Sequence, residues 1–385
     1  MSLAIHGLRF HGDTVADAGQ LDFAVSVVPG GPPGWLLDAL QVGLGQAAAY
    51  PDEGPATTAV AARHGRPPEE VVLLNGAAEA FWLLAQVLRP QLAAVVAPSF
   101  TEPEAALRAT GRRVRHVWRD PGSFHLDPAA VPAEADLVVT GNPNSPTGTL
   151  DPAATLAGLA RPGRILVVDE AFMEFTPGET ETLAGRRDLP GLVVVRSLTK
   201  LWGLAGVRAG YLLAPPDTAQ AMRAARQPWS VNSLVCAALA AWASHGADHA
   251  THRVRRLAAT RERLAAALAA LPGLRVWPSA ANFLLLQVAD GPAVLAALAA
   301  HGIAVRPCHS FPGLTINHLR VAVRTPADNQ LLIDAFGKAL DSCRAEATLR
   351  GEDLGAISRG PRASNRAKEA DGERRRVPPG DPARP

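Results

Sequence analysis

The sequence predicts an α/β protein in which a large domain carries a mainly parallel β-sheet and a smaller domain is α+β. Two observations predict this class. Short apolar runs alternate with helical segments up to about residue 213, and buried parallel strands are typically such continuous apolar runs. The chain has 385 residues, of which 48% are hydrophobic, and this is enough to bury the cores of about two domains.

The strands predicted for the large domain are short and apolar, and most are followed by a helical segment. Before them, a Pro/Gly-rich segment, 29–34, separates a first strand from a first helix, because such a segment cannot form regular structure. The predicted strands are 21–28, 71–74, 93–97, 113–118, 137–140, 165–168, 191–195 and 209–213. The predicted helices are 35–45, 60–64, 80–88, 102–110 and 152–159.

The rest of the chain predicts a second domain and a tail. Residues 219–271 are rich in alanine and mostly helical, and strands at 275–277, 283–288, 303–307 and 319–323 alternate with helices at 293–301 and 327–340. The residues after 344 include almost no apolar side chains, which predicts disorder. The predicted parts are an N-terminal segment packing on the small domain (1–44), a large domain (45–235), a small domain (236–344) and a disordered tail (345–385).

Charge and cysteine content narrow the range of partners and compartments. The net charge of +2 is too small to indicate nucleic acid as a partner. Cys236, Cys308 and Cys343 form no C-x-x-C pair, which predicts thiols in a reducing compartment. The N-terminus has no apolar signal-peptide core, and no apolar run is long enough to cross a bilayer. We therefore expect a cytoplasmic protein that binds neither nucleic acid nor a membrane.

One lysine stands out in a chain that otherwise uses arginine. The lysines are Lys200, Lys338 and Lys368, and the last two lie close to the C-terminus. Arginine keeps its proton in proteins, so it cannot replace a lysine that reacts as a neutral amine. Lys200 follows a buried strand, with Ser197 before it and Arg208 after it. This pattern predicts a lysine that forms a Schiff base beside a phosphate pocket.

Other polar residues also come where predicted strands end. Asn75, Asn142, Asp169 and Lys200 each follow or end such a strand. In parallel sheets the chemistry collects at the carboxyl ends of the strands, so these side chains are expected to share one site. The small residues 76–78 lie between a predicted strand and the predicted helix 80–88, and free amides at a helix N-terminus bind phosphate well.

Three motifs taken together resemble those of the aspartate-aminotransferase fold of pyridoxal-phosphate enzymes. They are N-P-x-x-P-T-G from Asn142, D-E-A from Asp169, and S-x-T-K ending at Lys200, with Arg208 following. The resemblance covers about residues 10–340. Within that fold the chain is most similar to histidinol-phosphate aminotransferases and to the threonine-phosphate decarboxylases of cobalamin synthesis. The segment at His11 and the stretch 306–326 resemble those of the decarboxylases.

The resemblance implies pyridoxal 5′-phosphate as the cofactor and assigns roles around it. Lys200 would bond the cofactor and carry the proton, Asp169 would pair with the ring nitrogen, and Asn142 would donate to the ring oxygen O3′. The other implied cofactor contacts are Ala77, Ala78, Ser197 and Arg208 at the phosphate, Phe100 stacked on the ring, and Tyr50 reaching the cofactor of a neighbouring subunit. The last contact implies a homodimer.

The resemblance also implies a substrate site and shows where this chain departs from its relatives. Arg320 would bind the substrate carboxylate, and Arg306 with His11 would bind a substrate phosphate. The chain has Ser26 and Val28 where relatives usually carry asparagine, Phe172 where many carry tyrosine, and Pro103 in place of an aromatic residue that would pair with Phe100.

The reaction expected from this resemblance is decarboxylation of a phosphorylated amino acid, threonine phosphate. Amino-group transfer from a substrate of the histidinol-phosphate type to 2-oxoglutarate is the alternative. Two alternatives come from other classes: the S-x-x-K spacing of Ser197 and Lys200 also occurs in acyl-enzymes, and the fold could serve as a binding module without catalysis. His249 and His252 share a helix face without a third ligand, so no metal site is expected.

Overall fold

A computed structural model describes residues 7–350, with side chains up to residue 345. Its largest sheet contains seven short strands from the first two thirds of the chain, and all but the last strand in the sheet order, Val114–Trp118, are almost wholly buried. These strands are β2 (Val71–Asn75), β3 (Ala93–Ala97), β4 (Val114–Trp118), β5 (Leu137–Gly141), β6 (Ile165–Asp169), β7 (Leu192–Ser197) and β8 (Ala209–Leu213). A two-residue strand, β1 (Leu21–Asp22), precedes them in the chain and lies in another sheet.

The large sheet is mainly parallel, as the sequence predicts. Its strand order is β2-β8-β7-β6-β5-β3-β4, and only β8 runs antiparallel to its neighbours. Helices pack against it: α1 (Gly34–Gly45), α2 (Gly54–Arg63), α3 (Ala77–Val87), α4 (Glu102–Ala109), α5 (Ala153–Ala157) and α6 (Pro216–Ala225). The predicted fold class is therefore confirmed.

Both faces of the sheet are buried, which explains its continuous apolar strands. Successive residues of β2 point to opposite faces, and they belong to two different apolar cores. Val71 and Leu73 lie in one core, and Val72 and Leu74 lie in the other. A sheet covered on both faces selects apolar residues at consecutive positions rather than at alternate ones.

The C-terminal part of the described chain forms a smaller layered unit. It begins with a long helix, α7 (Ser233–Ala269). The elements that follow α7 in the chain are β9 (Arg275–Val276), β10 (Phe283–Gln287), α8 (Gly291–Ala300), β11 (Ile303–Ala304), β12 (Arg306–Pro307), β13 (His318–Ala322) and α9 (Pro326–Arg350). Four of the strands form an antiparallel sheet of order β12-β13-β10-β9. β1 pairs in parallel with β11, so the N-terminal segment lies against this unit. The predicted domain boundaries remain a prediction.

Several predicted elements differ in length from those observed, among them the helix predicted at 60–64, which is α2 (Gly54–Arg63). The strand predicted at 21–28 ends at Asp22, because the Asp22 carboxylate accepts hydrogen bonds from the amides of Ala24 and Val25 and turns the chain. The last helix was expected to end at 340, but α9 continues to Arg350, and the added residues include several good helix formers. The remainder of the predicted disordered tail, 351–385, lies outside the described residues. Within residues 7–350, no helix combines the length and apolarity needed to cross a membrane.

Candidate active site

The polar residues that end the strands gather at one edge of the large sheet. β2, β5, β6 and β7 run in the same direction, so their carboxyl ends meet there. Asp169 is the last residue of β6, Asn142 follows β5, and Lys200 lies three residues beyond β7. The start of α3 lies at the same edge, because α3 follows β2 after a single residue.

Lys200 is half-buried, and its backbone bonds to the N-terminal segment. The amide of Val28 donates to the carbonyl of Lys200 at 3.1 Å, and the Lys200 Nζ lies 5.9 Å from the centre of the Phe172 ring. Burial, together with the positive charges of Arg320 and Arg208, lowers the pKa of the Lys200 ammonium to about 8. A substantial fraction of this amine is therefore neutral and nucleophilic near neutral pH.

Asp169 lines a small cavity at this edge, which we call the Asp169 cavity. Its walls include Phe100, Asn144, Ser145, Asp169 and Phe172. The Asp169 Oδ1 accepts from the amide of Ala171 at 3.0 Å. Burial raises the pKa of the Asp169 carboxyl to about 6, so a cation placed in the cavity would stabilise the carboxylate.

A corner with the chemistry that suits a phosphate group forms where α3 begins. α3 begins at Ala77, and Gly76 before it has no side chain to cap the first amides. Arg208 packs against Gly76 so closely that a Cβ at residue 76 would lie 2.4 Å from the Arg208 Nη2. Gly210 permits a similar approach, because a Cβ there would lie 2.6 Å from the Ala77 nitrogen. This corner brings amides and a guanidinium together, and both suit a phosphate group.

Ser197 and Ala78 lie at the same corner, and their contact with a phosphate remains a prediction. Ser197 ends β7, and its Oγ accepts from the Thr199 amide at 3.2 Å, which shapes the turn that leads to Lys200. Ala78 is the second residue of α3, so its amide belongs to the uncapped first turn. The residues present therefore fit a cofactor that has an aldehyde, a ring nitrogen and a phosphate.

Arg320 connects three parts of the chain at the cleft. It lies on β13, and its Nη1 donates to the Ser145 Oγ at 3.0 Å while its Nη2 donates to the Ala24 carbonyl at 3.1 Å. Its guanidinium also lies over the Phe283 ring, 5.0 Å from the ring centre. Its charge is the largest charged contribution to the lowered pKa of Lys200, which agrees with a position near the amine.

Arg306 is more tightly held by the protein than the sequence suggests. It is buried, its Nη1 donates to the Pro307 carbonyl, and its Nη2 donates to the Phe10 carbonyl and to the Ser310 Oγ. The guanidinium lies 4.2 Å from the centre of the Phe10 ring. Several donors of Arg306 therefore hold the N-terminal segment, and its role toward a substrate phosphate remains a prediction.

His11 lies at the edge of the same region. Its Nε2 is 2.7 Å from the Glu102 Oε1, and its ring centre is 5.9 Å from that of Phe100. Glu102 also accepts from the Trp82 Nε1 at 2.8 Å. Glu102 begins a predicted helix, but nothing in the sequence indicates that it reaches back to residue 11, and sequence reasoning missed it.

Asn142 has a different environment from the one expected for a ring-oxygen donor. Its Oδ1 accepts from the Asp151 amide at 2.8 Å, and its Nδ2 donates to the Asp151 carbonyl at 3.0 Å. Asp151 itself accepts from the buried Arg119 at 2.6 Å. Asn142 thus ties the turn after β5 to the segment at residue 151. Its contact with O3′ remains a prediction, whereas Ser145, which the sequence analysis passed over, lines the cavity.

The other singled-out residues are placed as follows. Tyr50 is 75% exposed and stacks on Trp229, with 4.4 Å between ring centres, so it faces outward from its own chain. Phe172 packs edge-on against Phe283. Pro103 lies in the first turn of α4, a position that suits proline.

Metal binding has little support among the side chains from residue 7 to 345. No group of three or more His, Cys, Asp or Glu side chains there is arranged to hold a metal ion. His249 instead stacks on Trp35 at 5.1 Å between ring centres.

Comparison with known proteins identifies the family. The family model described as aminotransferase class I and II matches residues 38–336, well over half of the chain. The chain belongs to this family. It is therefore a pyridoxal-phosphate-dependent enzyme, and the predicted cofactor and fold-type relationship are confirmed. The acyl-enzyme and non-catalytic alternatives are set aside for the same reason.

Two named relatives represent the similarity in sequence. A histidinol-phosphate aminotransferase of Mycobacterium tuberculosis is 46% identical over 320 residues, which cover 82% of this chain and 87% of the relative. A threonine-phosphate decarboxylase of Salmonella typhimurium is 34% identical over 335 residues, which cover 83% of this chain and 91% of the relative.

Solved structures show the same fold. The histidinol-phosphate aminotransferase from Clostridium acetobutylicum aligns with a TM-score of 0.78 and 23% identity, covering 83% of this chain and 99% of that one. The L-threonine-O-3-phosphate decarboxylase from Porphyromonas gingivalis aligns with a TM-score of 0.74 and 27% identity over the same shares of the two chains.

Proposed function

We propose that this protein is an aminotransferase that acts on a small phosphate-bearing amine of the histidinol-phosphate type. The observation that carries the proposal is the 46% identity, over 82% of this chain, to an aminotransferase of that name. The decarboxylase that the sequence analysis favoured has weaker support, since the decarboxylase relative is 34% identical. Amino-group transfer is therefore the better-supported reading, and decarboxylation becomes the second candidate.

In this proposal each residue at the sheet edge has its own role toward the cofactor. Bound pyridoxal phosphate supplies an electron sink for the bond that breaks at the substrate carbon. Asp169 would pair with the ring nitrogen and keep it protonated. The α3 amides, Ser197 and Arg208 would bind the phosphate. Lys200 would hold the cofactor through its Nζ, and the same atom would hold and return the proton.

In this proposal, positively charged side chains line the end of the cleft where the substrate binds. Arg320 and Arg306 carry positive charges into a largely buried region, and anionic groups on a substrate would offset the cost of burying those charges. His11 lies beside Phe100 at the same end. The proposal assigns a substrate phosphate to Arg306 and His11, and a carboxylate of the amino acceptor to Arg320.

A product assay tests this proposal directly. The purified protein, loaded with pyridoxal phosphate, is incubated with histidinol phosphate plus 2-oxoglutarate, and separately with threonine phosphate. We expect glutamate from the first mixture and no carbon dioxide from the second. Omission of 2-oxoglutarate should remove the glutamate. Carbon dioxide from threonine phosphate without glutamate in the first mixture would instead assign the decarboxylase.

The proposal includes a homodimer. We assign five exposed apolar side chains to the interface and call them the Tyr50 surface: Leu37, Val42 and Leu44 of α1, and Tyr50 with its stacking partner Trp229. Exposed apolar patches of this kind mark interaction sites. A second copy of the chain is the occupant that the family resemblance implies, because Tyr50 would then reach the neighbouring cofactor. Buried thiols at Cys236 and Cys308 fit the cytoplasmic location that we propose with it.

Sedimentation tests the dimer. The protein should sediment at twice the chain mass of 40.3 kDa, and Leu44→Glu should shift it toward that single-chain mass. Leu331→Glu is the matched control, because Leu331 is also an exposed leucine but lies on α9, away from the Tyr50 surface. A single-chain mass for the unmodified protein would rule out the dimer.

A further inference from the structure

The turn after β5 carries several polar side chains, and the structure commits two of them to the protein itself. Asn142 is fully buried, and both ends of its amide are paired with the Asp151 backbone. Asn144 uses both hydrogens of its Nδ2, which donate to the Pro98 carbonyl and to the Thr147 Oγ1. Asn144 therefore has no side-chain donor left for a ligand. Asn142 keeps one Nδ2 hydrogen, but Asn142 is not among the residues that line the Asp169 cavity.

Ser145 is the residue of this turn that combines a place on the Asp169 cavity with a hydroxyl group still able to donate. It lines the cavity together with Phe100, Asp169 and Phe172. Its Oγ accepts from the Arg320 Nη1 at 3.0 Å. An arginine only donates, so this bond leaves the hydroxyl hydrogen of Ser145 for another acceptor. A hydroxyl that accepts from a guanidinium is also polarised, which makes it a stronger donor.

The cofactor offers such an acceptor on the side of Lys200. In the pyridoxal ring the nitrogen is opposite the aldehyde carbon, and the phenolic oxygen is next to that carbon. With the nitrogen at Asp169 and the aldehyde at Lys200, the phenolic oxygen needs a donor near the amine. Phe172 has no hydroxyl to give. Ser145 shares the Asp169 cavity with Phe172, and the Lys200 Nζ lies 5.9 Å from the centre of the Phe172 ring, so Ser145 lies on that side of the cleft.

We propose that the Ser145 hydroxyl, oriented by Arg320, donates a hydrogen bond to the phenolic oxygen of the bound cofactor. Ser145 is in this way a cofactor-contacting residue that connects the ring to an arginine of the small sheet. The inference rests on the pyridoxal-phosphate cofactor, and it does not depend on whether the enzyme transfers the amino group or releases carbon dioxide.

A spectroscopic titration tests the inference without substrate. The visible absorption of the cofactor-loaded protein changes with pH, because the bond between Lys200 and the cofactor shares its proton with the phenolic oxygen. A donor to that oxygen stabilises its negative form, so removing the donor favours the protonated form. Ser145→Ala is expected to raise the pH midpoint of the absorption change by about 1 to 2 units, the value of a hydrogen bond to a charged group.

Matched variants keep the test decisive. Ser145→Cys preserves the volume of the side chain but donates weakly, so it should raise the midpoint as well, even if the alanine variant folds poorly. Ser145→Thr keeps the hydroxyl and should leave the midpoint within about 0.3 units, below the net worth of an ordinary hydrogen bond.

Ser99→Ala is the control, because Ser99 also lines the cavity but donates to the Phe100 carbonyl. An unchanged midpoint in Ser145→Ala and Ser145→Cys, or an equal rise in Ser99→Ala, would overturn the assignment. Either result would leave the proposed aminotransferase activity untouched.

Discussion

Replacing Lys200 by alanine is expected to abolish turnover and the yellow colour of the loaded protein. Lys200 is the predicted nucleophile at the carboxyl edge of the sheet, and the pKa of its amine is lowered to about 8 by burial, Arg320 and Arg208. Removal of the covalent nucleophile costs of the order of 10⁴ to 10⁶ in turnover in other enzymes. We expect a loss in that range, measured as glutamate formed per minute at saturating substrate.

Because the chain has three lysines, another lysine provides a direct control for the Lys200 variant. Lys338→Ala removes an exposed lysine on α9 and should leave both colour and turnover unchanged. Borohydride treatment of the unmodified protein should fix the cofactor on Lys200 alone among Lys200, Lys338 and Lys368. Turnover that survives in Lys200→Ala, or a label on Lys338, would contradict the assignment.

The lowered pKa of Lys200 also predicts how cofactor uptake depends on pH. Only the neutral amine attacks an aldehyde, so the rate of uptake by the cofactor-free protein should rise with pH. The folded-state pKa lies below the ordinary lysine value of 10.5, so half of the maximal rate should be reached near pH 8 rather than above pH 10. A rate that still climbs steeply above pH 10 would show an unperturbed lysine.

The position of the site could be predicted from sequence because topology alone determines it. Asp169 and Lys200 come at the ends of apolar runs, and parallel strands bring such ends together whatever the side-chain details. The glycine at 76 and the start of α3 follow from the same rule. These predictions needed only the periodicity of the strands and the position of the helix that follows each one.

Side-chain direction inside a turn could not be predicted in this way. The sequence motif offers Asn142, Asn144 and Ser145 within four residues, and only the three-dimensional contacts show which amides are used by Asp151, Pro98 and Thr147. The pairing of His11 with Glu102 joins residues 91 positions apart, and no local pattern indicates it. The carboxylate of Asp22 likewise ended a strand that apolar content alone would have continued.

Replacing Asp169 by alanine should reduce turnover by about 10² to 10³, the usual effect of removing one preorganised charge at the reacting group. Asp169 ends β6 inside the cavity, and burial raises the pKa of its carboxyl to about 6. Above that pH the group is an anion in a site with little water, and a protonated ring nitrogen is its natural partner. Without it the ring loses its proton and becomes a poor electron sink. Steady-state turnover and the cofactor dissociation constant would both be measured.

A chemical control separates this electronic role from simple packing. A cofactor analogue methylated on the ring nitrogen carries a permanent positive charge, and Asp169→Ala leaves room for the methyl group. If Asp169 acts by keeping the ring charged, the analogue should restore a large part of the lost turnover in Asp169→Ala. The exposed Asp188→Ala, which breaks only a surface pair with Arg186, should behave like the unmodified protein with either cofactor. Equal losses with both cofactors in Asp169→Ala would mean that Asp169 shapes the cavity and does not tune the ring, because a positive charge supplied by the analogue cannot repair a packing defect.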